Sequence, residues 1–391
     1  MYSVLLIIIY VAFISLGLPD SILGAAWPSM QPNLAVPFSY AGVISIIIAG
    51  GTILSSLFSN RVIYRLGTGK VTALSVAMTA AALFGFSVSD SFWQLCLWGI
   101  PYGLGAGSVD AALNHYVALH YKAKHMSWLH CFWGIGATAG PYIMGFVLTR
   151  GMTWNTGYRS IAILQILLTA VLIVTLPLWK DGKAAEAESE KQRPLSLAEV
   201  MRLPGAKQVM VGFFCYCSVE ATAGLWASSY LVLNRGISAE AAAKWAAIFY
   251  LGITLGRFLC GFITLKAEDK NMIRMGQLLI ACGLVMFFVP FGKAFALIGL
   301  ILTGAGCAPI YPSLIHATPD TFGKEASQSV IGVQMASAYV GTTFMPPLFG
   351  MLSENVGIGF YPLYLLLFLG LMVWMLECLN RCTGNKNGLK K

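Results

Sequence analysis

Long apolar runs alternate with short polar connections along the whole chain, and this pattern predicts twelve membrane-spanning helices. The runs lie near residues 3–30, 38–60, 71–89, 92–118, 126–149 and 157–179, then near 208–233, 239–265, 272–291, 294–317, 326–352 and 357–380. Each is close to the roughly 20 residues that a helix needs to cross the hydrocarbon core of a bilayer. None has the strict alternation of a membrane β-barrel strand, which excludes that class. The expected fold class is an all-α polytopic membrane protein, with 12 transmembrane helices in two six-helix pseudo-symmetric bundles. The first run lacks a basic leader and continues into a full span, so it reads as helix one and not as a cleaved signal.

Composition supports the same class. The 391 residues are 57% hydrophobic and 10% charged, with mean hydropathy +0.73, whereas soluble chains average about 25% charged residues. Only residues 181–207 form a long polar stretch, which divides the chain into a bundle over 1–180, a linker, a second bundle over 208–380 and a basic tail over 381–391. Within the linker, Leu195, Leu197, Val200 and Leu203 have the spacing of a short amphipathic helix at the membrane surface.

The net charge of +9 would suit nucleic acid if it formed one patch, but its distribution follows topology instead. Of the 25 Lys and Arg residues, nineteen fall in connections at one end, among them Arg65, Lys70, Lys122, Arg202, Lys207, Lys270, Arg274 and Arg381. Five, Arg150, Arg159, Arg235, Lys244 and Lys293, fall at the other. Cations are retained on the cytoplasmic side, so both termini are expected in the cytoplasm of a multi-pass protein of the cell membrane. The remaining cation, Arg257, lies inside the eighth run and is a candidate gate.

The nine cysteines lie mostly in apolar runs without a C-x-x-C pair, so no disulfide framework or metal site is expected. No G-x-x-x-x-G-K-[ST] occurs, which leaves an ion or solute gradient as the energy source and implies no cofactor.

The two halves repeat. Asp20 and Gly24 in GLPDSILGAAW match Glu220 and Gly224 in YCSVEATAGLW at a spacing of 200, and a tryptophan follows each, Trp27 and Trp226. The triplet 105–107 matches 304–306 at a spacing of 199, Ser127 matches Ser327, and Pro141 and Pro346 fall late in runs five and eleven. Repeats of this kind place a binding site between the halves near the bilayer midplane.

Sixteen acids are present, and only Asp20, Asp110 and Glu220 lie within spans. A charged residue at the bilayer centre costs about 2.5–3.5 kcal/mol on insertion scales, so such residues face a cavity or a partner. A carboxyl that exchanges a proton there supplies the chemistry of a proton-coupled carrier, so these three are the candidates for proton coupling or substrate binding. Sodium suits the same carboxylates and stays open as the coupling ion. Asn114 shares a helix face with Asp110. Folding helices four and five as a hairpin about Lys122 places His130 level with Asn114, as a gate, and Trp133 near Asp110. Trp27, Trp133, Trp226, Tyr311 and Gln334 complete the substrate-binding candidates, because a sugar ring stacks its apolar faces on aromatics while its hydroxyls seek amides and carboxylates.

The plan of two six-helix repeats, a charged central linker and a basic loop after helix two resembles the major facilitator superfamily. Within it, Asp20, GLGAGSVDAALN, SVEATAGLWASSYL and GAGCAPIYPS are similar to the fucose:proton symporter-like branch. The resemblance implies proton-coupled uptake of a sugar or similar small solute by a monomer that rocks between two open states, with Asp20 and Asp110 as the favoured acids. The loop SNRVIYRLGTGK departs from the superfamily pattern, with Asn60 at its first glycine and Tyr64 at its acid, and Asp110 stands where the branch carries glutamate. A second reading stays open, because GATAGPYIMG resembles helix five of drug:proton antiporters, which export amphiphilic compounds.

Overall fold

The computed structural model describes residues 2–120, 123–179, 195, 197–263, 268–289 and 292–388. Most of the linker (180–194), Lys122 and the last three residues lie outside them. Among the described residues the regular structure is helical: α1 (Tyr2–Asp20), α2 (Ile22–Leu34), α3 (Tyr40–Leu66), α4 (Thr68–Ser87), α5 (Phe92–His120), α6 (Ala123–Thr149) and α7 (Trp154–Val174) form the first set. A short α8 (Leu197–Arg202) leads into α9 (Ala206–Arg235), α10 (Ala239–Ile263), α11 (Asp269–Met286) and α12 (Lys293–His316). Then α13 (Thr318–Phe322), α14 (Lys324–Val356) and α15 (Tyr361–Gly388) complete the second. Eight of these rods are long and apolar enough to cross a membrane, counting α1 with α2 as one.

The outward faces are apolar, as they must be where the neighbour is lipid. On α7, Leu167 is 59% exposed and Val174 78%. Val200 of α8 is instead buried with Ala206 and Val330, with Leu195 and Leu203 packed against them, while Leu197 is exposed.

Helix one is not continuous. Pro19 cannot bond to the carbonyl four residues back, and the chain turns at Ser21 between α1 and α2. The carbonyl that Pro19 leaves free, that of Ser15, accepts the side-chain amide of Gln165 on α7. The break puts Asp20 at the end of α1, halfway along the rod.

Packing partners repeat between the halves. In the first, α1 packs on α6, and α5 packs on α3 and α4; in the second, α9 packs on α14, and α12 on α10 and α11. Glycine approaches fix the register of this repeat. Gly103 abuts the carbonyl of Ile48 as Gly304 abuts that of Phe249, and Gly105 abuts Ser75 as Gly306 abuts Gly276. Each matched position is 201 residues on, so the three-dimensional repeat pairs Gly105 with Gly306, not with Gly304. On α6 and α14 the spacing is 205: Gly136 abuts Ile14 as Gly341 abuts Phe214. Ser127 and Ser327 therefore fall out of register.

Sequence neighbours α5 and α6 are not packed as a hairpin. The main partners of α6 are α1 and, across the seam between halves, α10. The seam is itself two-fold, because α3 against α14 mirrors α6 against α10, with α2 against α9 at the centre.

Candidate substrate and coupling site

Asp20 lies midway along its rod yet is exposed, so it faces a cleft. Its Oδ1 accepts the Tyr102 hydroxyl from α5 at 3.0 Å, and its Oδ2 accepts the Trp133 indole N–H from α6 at 2.8 Å. Three elements thus meet on one carboxylate at the helix break. Trp133 sits on Asp20 and not on Asp110, because α6 packs on α1 instead of folding back along α5.

Asp110 on α5 is partly buried, and its Oδ1 accepts the side-chain amide of Asn114 at 2.9 Å. The i, i+4 spacing brings the two together. The same amide also donates to the Asp110 carbonyl at 3.0 Å. His130 is not joined to this pair; its ring stands edge-on to Phe13 with centroids 5.8 Å apart.

Glu220 on α9 is the second half's acid. Its Oε1 lies 3.7 Å from Nη2 of Arg257 on α10, with the glutamate side chain 20% and the arginine 14% exposed. Its Oε2 accepts the Tyr216 hydroxyl from one turn earlier, and Tyr216 also reaches the Cys307 carbonyl of α12 at 3.0 Å. The guanidinium of Arg257 stands 5.4 Å from the centre of the Trp133 ring. One indole therefore touches the first half's acid through its N–H and the second half's cation through its face.

The remaining candidates lie around this core. Tyr311 packs its ring near Phe213 and Tyr216, and its hydroxyl donates to Met335 Sδ at 3.2 Å. Gln334 is fully buried and accepts the Thr318 hydroxyl at 3.1 Å, with no described contact to the acids. Trp27 and Trp226 are fully buried as well; their indoles donate to the carbonyls of Phe38 and Pro346 at 3.0 and 2.7 Å. These two tryptophans flank the acids in sequence, but Trp27 is packed in the buried core and Trp226 in the seam. Phe38 lies on the Trp226 ring with centroids 4.5 Å apart, joining the halves at the end that carries few cations.

That end is closed. The Ser39 N–H donates to Glu354 Oε1 at 2.8 Å across the seam, and a Cβ on Gly42 would lie 2.7 Å from the backbone of Pro347.

Tyr102 and Tyr216 escaped the reading of the sequence, although both carry a signal. Tyr216 precedes Glu220 by four residues and Tyr102 precedes Asp110 by eight, which in each case is one helical face.

The profile of the Major Facilitator Superfamily matches residues 9–292 and 208–388. The chain belongs to this superfamily. It is accordingly a multi-pass membrane transporter and not an enzyme. The yeast Saccharomyces cerevisiae protein "Bypass of stop codon protein 6" is 23% identical over 392 residues, covering 90% of this chain and 78% of that one. The inward-open conformation of the xylose transporter XylE from E. coli superposes with a TM-score of 0.75 at 14% identity, covering 96% of both chains. A crystal structure of a D-xylose-proton symporter superposes at 0.71 and 14%, covering 95% of this chain and 96% of that one. At such identity the likeness carries the fold alone.

Proposed function

We propose that this carrier moves a small polar solute, a sugar by class, together with protons, and that it rocks between outward- and inward-open states. The observation that carries the reading is the cluster itself: Asp20, Asp110 and Glu220 lie among tyrosine hydroxyls, an amide and an indole, and Glu220 is paired with Arg257. Carboxylates beside aromatic faces suit hydroxyl-bearing rings, and the fold is one that a xylose-proton symporter also uses. With the cation-rich end cytoplasmic, the seal at Ser39 and Glu354 makes this the inward-open state. A chain acting as a monomer, with residues 1–180 rocking against 208–380, fits the seam.

The drug-antiport alternative rested on the glycines of α6. Gly136 and Gly140 abut the carbonyls of Ile14 and Leu18, so close packing on α1 accounts for that pattern.

A thermal-shift screen of the purified protein against sugars, nucleosides, amino acids and cationic drugs identifies the solute class. Adding the stabilising sugar to de-energised cells should then alkalinise the medium without sodium. Alkalinisation that persists in a D20N/D110N/E220Q triple variant overturns the proposal, and a screen that selects amphiphilic cations favours export.

A further inference from the structure

We propose that Trp133 is the positioning residue that carries the charge state of Asp20 across the seam to the Arg257–Glu220 pair. The inference rests on the proton-coupled reading above and assigns the part that links its two halves.

The geometry is a chain of three contacts. The indole N–H of Trp133 donates to Asp20 Oδ2 at 2.8 Å, its ring face receives the Arg257 guanidinium at 5.4 Å, and Arg257 Nη2 meets Glu220 Oε1 at 3.7 Å. A hydrogen bond to an ionised carboxylate is about twice as strong as one to a neutral acid. An indole held by one strong bond keeps one orientation; once Asp20 takes a proton that hold weakens and the ring is freer to turn. An arginine gains from an aromatic face within about 6 Å, so Arg257 feels the turn directly. Its contact with Glu220 is long, and it is then free to tighten on Glu220 or to leave it for a solute.

The link runs through the right interface. Trp133 is on α6, Arg257 is on α10, and these two helices pack against each other between the halves. Other titratable groups face Asp20: Asp110 and Tyr102 come from α5, and Tyr250 comes from α10. The tyrosines stay neutral across the range in which carboxyls titrate; Asp110, bonded by Asn114, is a second carboxyl, and D20N separates its contribution from that of Asp20. Tyr250 lies near both Asp20 and Glu220, but among the described contacts it bonds to neither, whereas Trp133 bonds Asp20 and faces Arg257 directly.

The test reads the conformational equilibrium of the full chain without a solute. Nitroxide labels at D90C and V356C, two exposed positions at the sealed end of opposite halves, report whether that end opens. The exposed Cys282 and Cys382 are first replaced by serine. In this background the distance distribution should shift between mildly acidic and alkaline pH, and D20N should abolish the shift. W133F keeps a ring for Arg257 but has no N–H; it should remove most of the pH response while thermal unfolding stays near the parent value. R257Q breaks the link from its other end and should also remove most of the pH response, at a lower unfolding temperature, which gives a second reading if W133F folds poorly. A pH response in W133F and R257Q that overlays the parent, with D20N flat, overturns the relay and leaves proton coupling intact. A parent that ignores pH overturns both.

Discussion

Gly24 of α2 and Gly224 of α9 meet across the seam between the halves: a Cβ on Gly24 would lie 2.8 Å from the Gly224 carbonyl oxygen and 2.6 Å from that of Leu225. The two glycines stand 200 positions apart in the duplicated sequence. They mark where the repeat axis passes through the molecule. Asp20 and Glu220 each lie one turn away, so closure at this crossing and the state of the acids share one pair of helices.

A leucine at Gly24 cannot be accommodated there, because the obstacle is backbone. G24L should insert and fold but fail to seal this end. In a cell-surface assay, a cysteine at the buried Ser228 should react with a membrane-impermeant thiol reagent several times faster in G24L than in the parent.

The Glu220–Arg257 pair predicts a pattern among charge variants. Removing one partner leaves a largely desolvated charge, at a cost of about 1–3 kcal/mol once the residual exposure of the pair is allowed for. E220Q and R257Q should each lower the thermal unfolding temperature in detergent. The double variant should recover part of that loss, since neither charge is then stranded. Additive losses would mean that the two side chains are not coupled.

Glu354 caps the N-terminus of α3 from the other half, where Ser39 supplies no side-chain cap of its own. A carboxylate at that position contributes about 0.5–2 kcal/mol, which corresponds to roughly a two- to thirty-fold change in a population ratio. E354Q should shift the equilibrium toward opening at that end by this order, seen in the same spin-label distances, with little change in unfolding temperature.

Gly103 and Gly304 are repeat mates that abut carbonyls of Ile48 and Phe249. Valine at either should overpack its helix pair by about 1–3 kcal/mol or more. The two variants should lose similar amounts of folded protein, measured by size-exclusion yield, because the contact is the same in both halves.

The order of helices, their apolar outer faces and the duplication were legible in the sequence, because a span must be apolar along its length whatever its neighbours are. The three acids could be found in the same way, since charge within such a run stands out. Asn114 and Tyr216 follow from helical spacing alone. Partners across helices were not legible. Trp133 joins Asp20 and Arg257, while Trp27 goes into the buried core and Trp226 into the seam, because the packing of helices on one another decides which face meets which. Period and polarity along one chain determine that a residue lies within a membrane helix. Whether it meets lipid, a neighbouring helix or the cleft depends on distances between segments far apart in sequence, and only the assembled bundle sets those.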